Sequence, residues 1–135
     1  MKFKQLLKPK NMKKVIATPD APKAVGPYSQ AIEVNGTLYI SGQIPVNPAD
    51  GKVQEDIVEA AHQSLKNIGA ILKEAGMGYD NVVKTTVLLA DIADFKAVNE
   101  VYAEYFTGDK PARACYQAAA LPMGVKVEIE AVAVR

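Results

Sequence analysis

The side chains that most often carry enzyme chemistry are scarce in this chain. His62 is the only histidine and Cys115 the only cysteine among the 135 residues. A single cysteine excludes an internal disulfide, a Cys-x-x-Cys redox pair and a cysteine-based zinc site. His62 is flanked by Glu59 and Lys66, which is typical of a helix surface rather than of a catalytic base. The sequence also lacks a GxSxG elbow, an HExxH motif and a phosphate-binding glycine loop, so serine hydrolases, classical metalloenzymes and nucleotide-driven enzymes are disfavoured.

Two carboxylates stand in the most regular strand pattern of the sequence. Between positions 125 and 134, small or aliphatic residues alternate with the series Lys126, Glu128, Glu130, Val132 and Val134. The small and aliphatic residues predict the face of the strand that packs in the core. The other face mixes carboxylates with valines, which indicates a surface that meets another subunit and leaves polar groups in a cleft. The alternative is a half-polar sheet face exposed to solvent.

The elements before this strand follow from turn signals and periodicity. Tyr28 to Val34 and Thr37 to Ile44 are predicted strands joined by Asn35-Gly36, the dipeptide that suits a type I′ hairpin. A helix is predicted from Asp56 to the terminating Gly76, because its apolar residues recur at helical spacing: Ile57, Ala61, Leu65, Ile68, Leu72 and Ala75.

A second set of elements precedes the last strand. Asn81 to Leu89 predicts a buried strand, and Asp91 or Asp94 can cap a helix that Gly108 ends. Ala112 to Ala120 predicts another strand. The order ββαβαββ predicts an α+β sandwich with two helices on one face of a four- or five-stranded mixed sheet.

Charge separates the N-terminus from the remainder. Six of the 16 basic residues lie in the first 14 positions, and we predict an N-terminal extension over residues 1–13 and a single domain over 14–135. The extension is expected to be disordered or loosely attached; tethering to a membrane or to RNA is the alternative. From position 15 onward, 10 basic and 15 acidic residues leave a net charge of −5, which argues against nucleic-acid binding. No apolar run is long enough for a membrane span, and no secretory signal pattern is present, so the sequence predicts a cytoplasmic protein.

Five ordered segments carry a resemblance to a known family. The chain resembles the Rid family of reactive-intermediate (imine) deaminases, also called YjgF-like proteins, from about Lys14 to its end. The matching segments are Gly26 to Ala31 (GPYSQA), Ile40 to Pro45 (ISGQIP), Asn99 to Tyr102 (NEVY), Pro111 to Cys115 (PARAC) and Val127 to Val134 (VEIEAVAV).

The resemblance implies a fold, an assembly and a reaction. The expected fold is the α+β sandwich of bacillary-type chorismate mutases, assembled as a homotrimer whose sheets form a central barrel with active sites at the subunit interfaces. The expected activity is hydrolysis of 2-iminobutanoate and 2-iminopropanoate to 2-oxo acids and ammonia, without a cofactor or metal.

The resemblance also assigns roles to residues of this chain. Arg113 is expected to anchor the substrate carboxylate, for which a planar guanidinium is well shaped. Glu128 and the main-chain carbonyl of Cys115 are expected to orient the attacking water, while the thiol is a bystander. Tyr28 is expected to wall the pocket and could also donate its hydroxyl as a catalytic group. The Gly42 N–H is expected to bind the carboxylate.

Asn99 is also expected to contribute to substrate binding, although its side chain could instead form a hydrogen bond within its own helix. Two other interpretations of the charged residues remain open from the sequence. Arg113 could form an ion pair with Glu128 or Glu130 across the sheet, and Glu128 could be a solvated strand carboxylate.

Two other functions are also weighed: an endoribonuclease or translation inhibitor, and a non-catalytic sensor or chaperone that binds small carboxylates.

Overall fold

One mixed sheet and two helices make up the fold of the part of the chain that the structure describes. The computed structural model describes residues 13–135, and the predictions made for residues 1–12 lie outside that range. The strands are β1 (Lys14–Ile16), β2 (Ala31–Val34), β3 (Thr37–Gln43), β4 (Val82–Leu89), β5 (Ala112–Gln117) and β6 (Val127–Val134), and the helices are α1 (Ile57–Glu74) and α2 (Phe95–Tyr105). The sheet order is β1-β2-β3-β6-β4-β5. β4 and β5 are parallel, and the other neighbouring pairs are antiparallel.

The α+β sandwich predicted from the sequence is confirmed, with one more strand than expected. The sheet has six strands rather than four or five. The additional strand, β1, pairs with β2 through only three residues. Three residues are too few to show a period-two pattern, so periodicity could not reveal it. β5 also ends at Gln117, three residues before the predicted end at Ala120.

Local backbone signals place the hairpin turn and α1 as predicted, although β2 begins at Ala31 rather than at Tyr28 and β3 ends at Gln43 rather than at Ile44. Asn35 and Gly36 both have positive φ, 51° and 80°, as a type I′ turn requires. The Asp56 side chain accepts hydrogen bonds from two amides of the first turn of α1. Gly76, with a φ of 75°, follows the helix and lets the chain reverse.

The start and end of α2 differ in detail from the prediction. Asp91 caps a short 3₁₀ turn, Ile92–Asp94, by accepting from the Ala93 N–H at 2.9 Å. Asp94 follows as the N-cap of α2 without a side-chain bond. The helix ends at Tyr105, before Gly108 is reached.

His62 lies between the two helices rather than on a free helix surface. It is half-buried on α1, and its Nδ1 is 2.7 Å from the Tyr105 hydroxyl of α2. The prediction of a surface histidine is therefore wrong in part, because the neighbouring helix covers one side of the ring. That His62 is no catalytic base stays a prediction.

The helices cover one face of the sheet and leave the other open. The core lies between α1, α2 and the inward residues of the strands, including Leu38, Val87, Ile129 and Ala133. On the opposite face, strand register aligns Val15, Ile32, Tyr39 and Val132 in one row. Tyr39 in this row is 51% exposed. In the described part of the chain, neither helix is long and apolar enough to cross a membrane.

A glycine within α1 provides a test of the packing between α1 and the turn before β4. A Cβ on Gly69 would lie 2.8 Å from Tyr79 Cζ, and the Tyr79 hydroxyl donates to the Leu65 carbonyl at 2.7 Å. Glycine to alanine inside a helix usually stabilises by about 1 kcal/mol. Here we expect Gly69→Ala to lower the free energy of unfolding by about 1–3 kcal/mol, because the tyrosine must move. Urea unfolding at fixed protein concentration measures the change.

The matched control removes the Tyr79 side chain that the new methyl group would meet. In a Tyr79→Ala background, Gly69→Ala should raise the free energy of unfolding, since the helix gains its usual preference for alanine. A loss of the same size in both backgrounds would contradict the assigned contact.

Candidate active site

Arg113 is held at the end of the sheet by residues of α2. Its Nη1 donates to Asn99 Oδ1 at 2.8 Å. Its Cζ lies 4.9 Å from the centre of the Tyr102 ring and 5.6 Å from that of Phe95. The guanidinium is therefore half-buried and oriented by one hydrogen bond and two aromatic rings.

Cys115 shares the helix-facing side of β5 with Arg113. Its side chain packs partly against the core, and burial raises the pKa of the thiol while the nearby Arg113 acts in the opposite direction. A raised pKa keeps the thiol protonated at neutral pH and a poor nucleophile.

The main-chain carbonyl of Cys115 lies on the free edge of the sheet. The Ala118 N–H donates to the Leu89 carbonyl at 2.9 Å, so the backbone groups of Ala118 face β4. In a parallel pair, the backbone groups of alternate residues point to the same side. Cys115, an odd number of positions from Ala118, therefore points its N–H and C=O away from β4, on the side where no other strand among residues 13–135 pairs with β5.

Glu128 lies directly over Gly42. A Cβ built on Gly42 would come within 2.9 Å of Glu128 Cδ, so only glycine allows this approach. The register between β3 and β6 shifts between Ile40 and Gln43, which places Gly42 in an irregular part of the strand. Burial raises the pKa of the Glu128 carboxyl, and Glu130 raises it further through charge repulsion.

Tyr28 lies at the rim of the cavity that contains Gly42. It is 51% exposed, and with Gly42, Gln43 and Met123 it lines a cavity of about 240 Å³. A larger apolar cavity of about 610 Å³ adjoins it between residues 15–24 and Ser29. Tyr28 lines both cavities, whereas Arg113, Glu128 and Asn99 line neither.

The candidate residues form two groups on opposite faces of the sheet. Arg113, Asn99 and Cys115, which we call the arginine group, lie on the helix side. Gly42 and Glu128, with Tyr28 near Gly42, form the glutamate group on the open side. On β6 the residues that face the helices are the odd-numbered ones, which puts Glu128 and Glu130 on the other face.

This arrangement bears on two alternatives that the sequence left open: an ion pair of Arg113 across the sheet, and a hydrogen bond of Asn99 within its own helix. An ion pair between Arg113 and Glu128 or Glu130 is ruled out within one chain, because the sheet separates the charges. Within residues 13–135, the ion pair that forms is Arg135 with Glu33, at 2.8 Å. Asn99 uses its side-chain oxygen for Arg113 and not for its own helix.

Sequence reasoning missed three residues next to Arg113. Phe95 and Tyr102 lie on α2, and Thr85 lies on β4 opposite Arg113. The contacts of the two rings with Arg113 depend on how α2 crosses the sheet, and the position of Thr85 depends on the pairing of β4 with β5, and no local pattern reports either. For Tyr102, the available signal was its place in the matching segment Asn99 to Tyr102.

Comparison with known proteins identifies the family. The model of the family described as Endoribonuclease L-PSP matches residues 18–135. The chain therefore belongs to this family, whose members include the Rid and YjgF-like proteins that it resembles. Both the fold and the family expected from the sequence are confirmed.

Individual relatives are similar over nearly the whole chain. A mouse protein named 2-iminobutanoate/2-iminopropanoate deaminase is 59% identical over 125 residues, covering 92% of this chain and 93% of the relative. The human protein of that name is 58% identical, covering 92% and 91%. The crystal structure of Escherichia coli TdcF with bound serine has a TM-score of 0.88 at 43% identity, covering 90% and 98%. A Rid-family protein from Yersinia pestis has a TM-score of 0.89 at 50% identity, covering 91% and 99%.

The contact between Gly42 and Glu128 generates a test that needs no substrate. Gly42→Ala should push the Glu128 carboxyl into solvent, because the new methyl occupies its place. Since burial is the main cause of the raised pKa, that pKa should fall toward its ordinary value. NMR titration of the side-chain carboxyl carbon measures it.

Gly78→Ala is the matched control. Gly78 is extended and has nothing within 4 Å of a built Cβ, so this variant should leave the Glu128 pKa unchanged. An unchanged pKa in Gly42→Ala would show that Glu128 does not rest on Gly42.

Proposed function

We propose that the protein hydrolyses 2-iminobutanoate and 2-iminopropanoate to the corresponding 2-oxo acids and ammonia, without a cofactor. The observation that carries the proposal is the fixed, half-buried Arg113 guanidinium on β5, the edge strand of the sheet formed by the described residues. Such a group suits a small, planar carboxylate. The names of the mouse and human relatives support this substrate class.

Arg113 binds the substrate carboxylate and fixes its plane. Nη1 is already turned toward Asn99, so the guanidinium can present other N–H groups to both carboxylate oxygens. The Gly42 N–H contributes a further donor, and Tyr28 walls the pocket. Because the C=N group is conjugated with the carboxylate carbon, fixing one plane also fixes the other.

Glu128 and the Cys115 carbonyl orient the attacking water. The water oxygen bonds to the imine carbon, the C=N electron pair moves to nitrogen, and nitrogen gains a proton. The resulting carbinolamine expels ammonia and becomes the 2-oxo acid, so one water is consumed per ammonia released. A carboxyl with a raised pKa is suited to accept the water proton and return it to the departing nitrogen.

The active unit in this proposal is a homotrimer with interfacial sites. One chain carries the arginine group and the glutamate group on opposite faces of its sheet, so a small substrate cannot touch both. If the β5 edge of one subunit meets the open face of the next, the two groups come together. The exposed apolar row on that face supports such a contact, and threefold symmetry is what the family resemblance implies.

The domain boundaries remain those predicted from the sequence. In this proposal residues 14–135 carry the activity and the extension over 1–13 takes no part in it. The cytoplasmic location stays a prediction from the sequence.

Two other functions are less well supported. The family model's description suggests an endoribonuclease. The only histidine is engaged by Tyr105, and the body of the chain is acidic, which disfavours RNA cleavage. A sensor that only binds small carboxylates would use Arg113 in the same way, and kinetics separates it from an enzyme.

The first kinetic prediction contrasts two residues on the same side of β5. Arg113→Ala should reduce kcat/KM by roughly 10²- to 10³-fold, because it removes the cation for the carboxylate. Arg113→Lys should recover little, since an ammonium cannot make the planar two-bond contact. Cys115→Ala should keep most of the activity, because the backbone carbonyl remains. Release of 2-oxo acid from imines generated in situ gives the rates.

The outcomes separate the competing functions. A wild-type protein that does not accelerate 2-oxo acid release would favour the sensor. An inactive Cys115→Ala beside an active Arg113→Ala would replace water attack by thiol chemistry.

A second prediction tests whether the two groups come from different subunits. Arg113→Ala and Glu128→Gln should each be nearly inactive alone. Refolding the two variants together should restore part of the activity, because some interfaces then pair a wild-type Arg113 with a wild-type Glu128 from another chain. Each variant refolded alone is the control. Mixtures no more active than the separate variants would place the site within one chain.

A further inference from the structure

The orientation of Arg113 depends on a tyrosine ring. Tyr102 lies 4.9 Å from the guanidinium carbon and is 7% exposed. Its other neighbour is Phe106, whose ring centre is 4.5 Å away. The Tyr102 ring is thus packed between a cation and the core, and its position sets the surface against which the guanidinium lies.

Tyr102 is itself fixed by a hydrogen bond within the core. Its hydroxyl is 2.7 Å from Thr85 Oγ1, and Thr85 is only 1% exposed. A buried hydroxyl costs free energy unless it has a partner, and each of these hydroxyls satisfies the other. Valine has nearly the shape of threonine and would fill an ordinary core position without needing a partner.

The strand register brings this pair to Arg113. Thr85 of β4 is directly opposite Arg113 of β5 in the parallel ladder. Thr85 is therefore the neighbour of Arg113 in the sheet, and its hydroxyl holds the ring beneath the Arg113 side chain. Burial raises the pKa of Tyr102 above the ordinary value for tyrosine.

We propose that Thr85 and Tyr102 are positioning residues for Arg113: the Thr85–Tyr102 hydrogen bond fixes the ring over which the guanidinium lies. Asn99 sets the rotation of the guanidinium within its plane, and Tyr102 sets the plane. The role in substrate binding rests on the proposed function, whereas the effect on Arg113 mobility does not.

The chain has two arginines, which makes the test direct. The Nε–H groups of Arg113 and Arg135 give two side-chain signals in ¹H–¹⁵N NMR spectra, and Arg135 serves as the internal reference because Glu33 binds it. Thr85→Val should lower the heteronuclear NOE of Arg113 and leave that of Arg135 unchanged. Thr85→Ser, which retains the hydroxyl, should leave both unchanged. Tyr102→Phe is a second variant that removes the same bond.

A binding measurement connects mobility with the site. Calorimetry with 2-oxobutanoate, a product of the proposed reaction, should show affinity about five-fold weaker in Thr85→Val than in wild type, as expected for one lost hydrogen bond. Tyr79→Phe is the control, because it removes a buried tyrosine hydroxyl bond away from Arg113 and should change stability without changing affinity.

Two results would overturn the proposal. One is an Arg113 NOE equal to wild type in both Thr85→Val and Tyr102→Phe. The other is loss of order in Thr85→Ser equal to that in Thr85→Val, which would assign the effect to packing. If Arg113 loosens as expected but wild type neither binds 2-oxobutanoate nor hydrolyses imines, the proposed function fails and the positioning role stands.

Discussion

The parallel pairing of β5 with β4 is the constraint on which the candidate site depends. It makes β5 the last strand of the sheet in the described part of the chain, so one side of its backbone pairs with no other described strand. It also fixes which residues face α2, and thereby brings Arg113 to Asn99 and Tyr102. A one-residue slip of β5 would turn Arg113 to the open face and lose its contacts with Asn99, Tyr102 and Phe95.

The candidate residues lie on two faces of one sheet, so something must bring both groups to the same substrate. A single sheet cannot bring its two faces to one small molecule, so the chemistry needs either another chain or a segment that crosses the edge. The proposed trimer meets this requirement without new structural elements. It also accounts for valines beside glutamates on β6, because the same face would serve both as an interface and as a wall of the site.

The sequence predicts the elements better than their mutual arrangement. The hairpin at Asn35-Gly36 and helix α1 have strong local signals, and both are present as predicted. β1 has no such signal, and its pairing with β2 depends on long-range contacts. Arg113 and Cys115 could be assigned to one side of their strand from spacing alone. Their relation to Glu128 could not, because it depends on the order β6-β4-β5 and on which face the helices cover. The role of Tyr102 was missed for the same reason.

The free edge at Cys115 has a consequence for how the site tolerates sequence change. The group exposed there is a main-chain carbonyl, which is common to all twenty amino acids. A saturation screen at position 115 would therefore report the packing of the side chain and miss the polar group altogether. Natural or laboratory variation can remove that group only by shifting the strand, so this part of the site is inherited with the fold rather than with a particular residue.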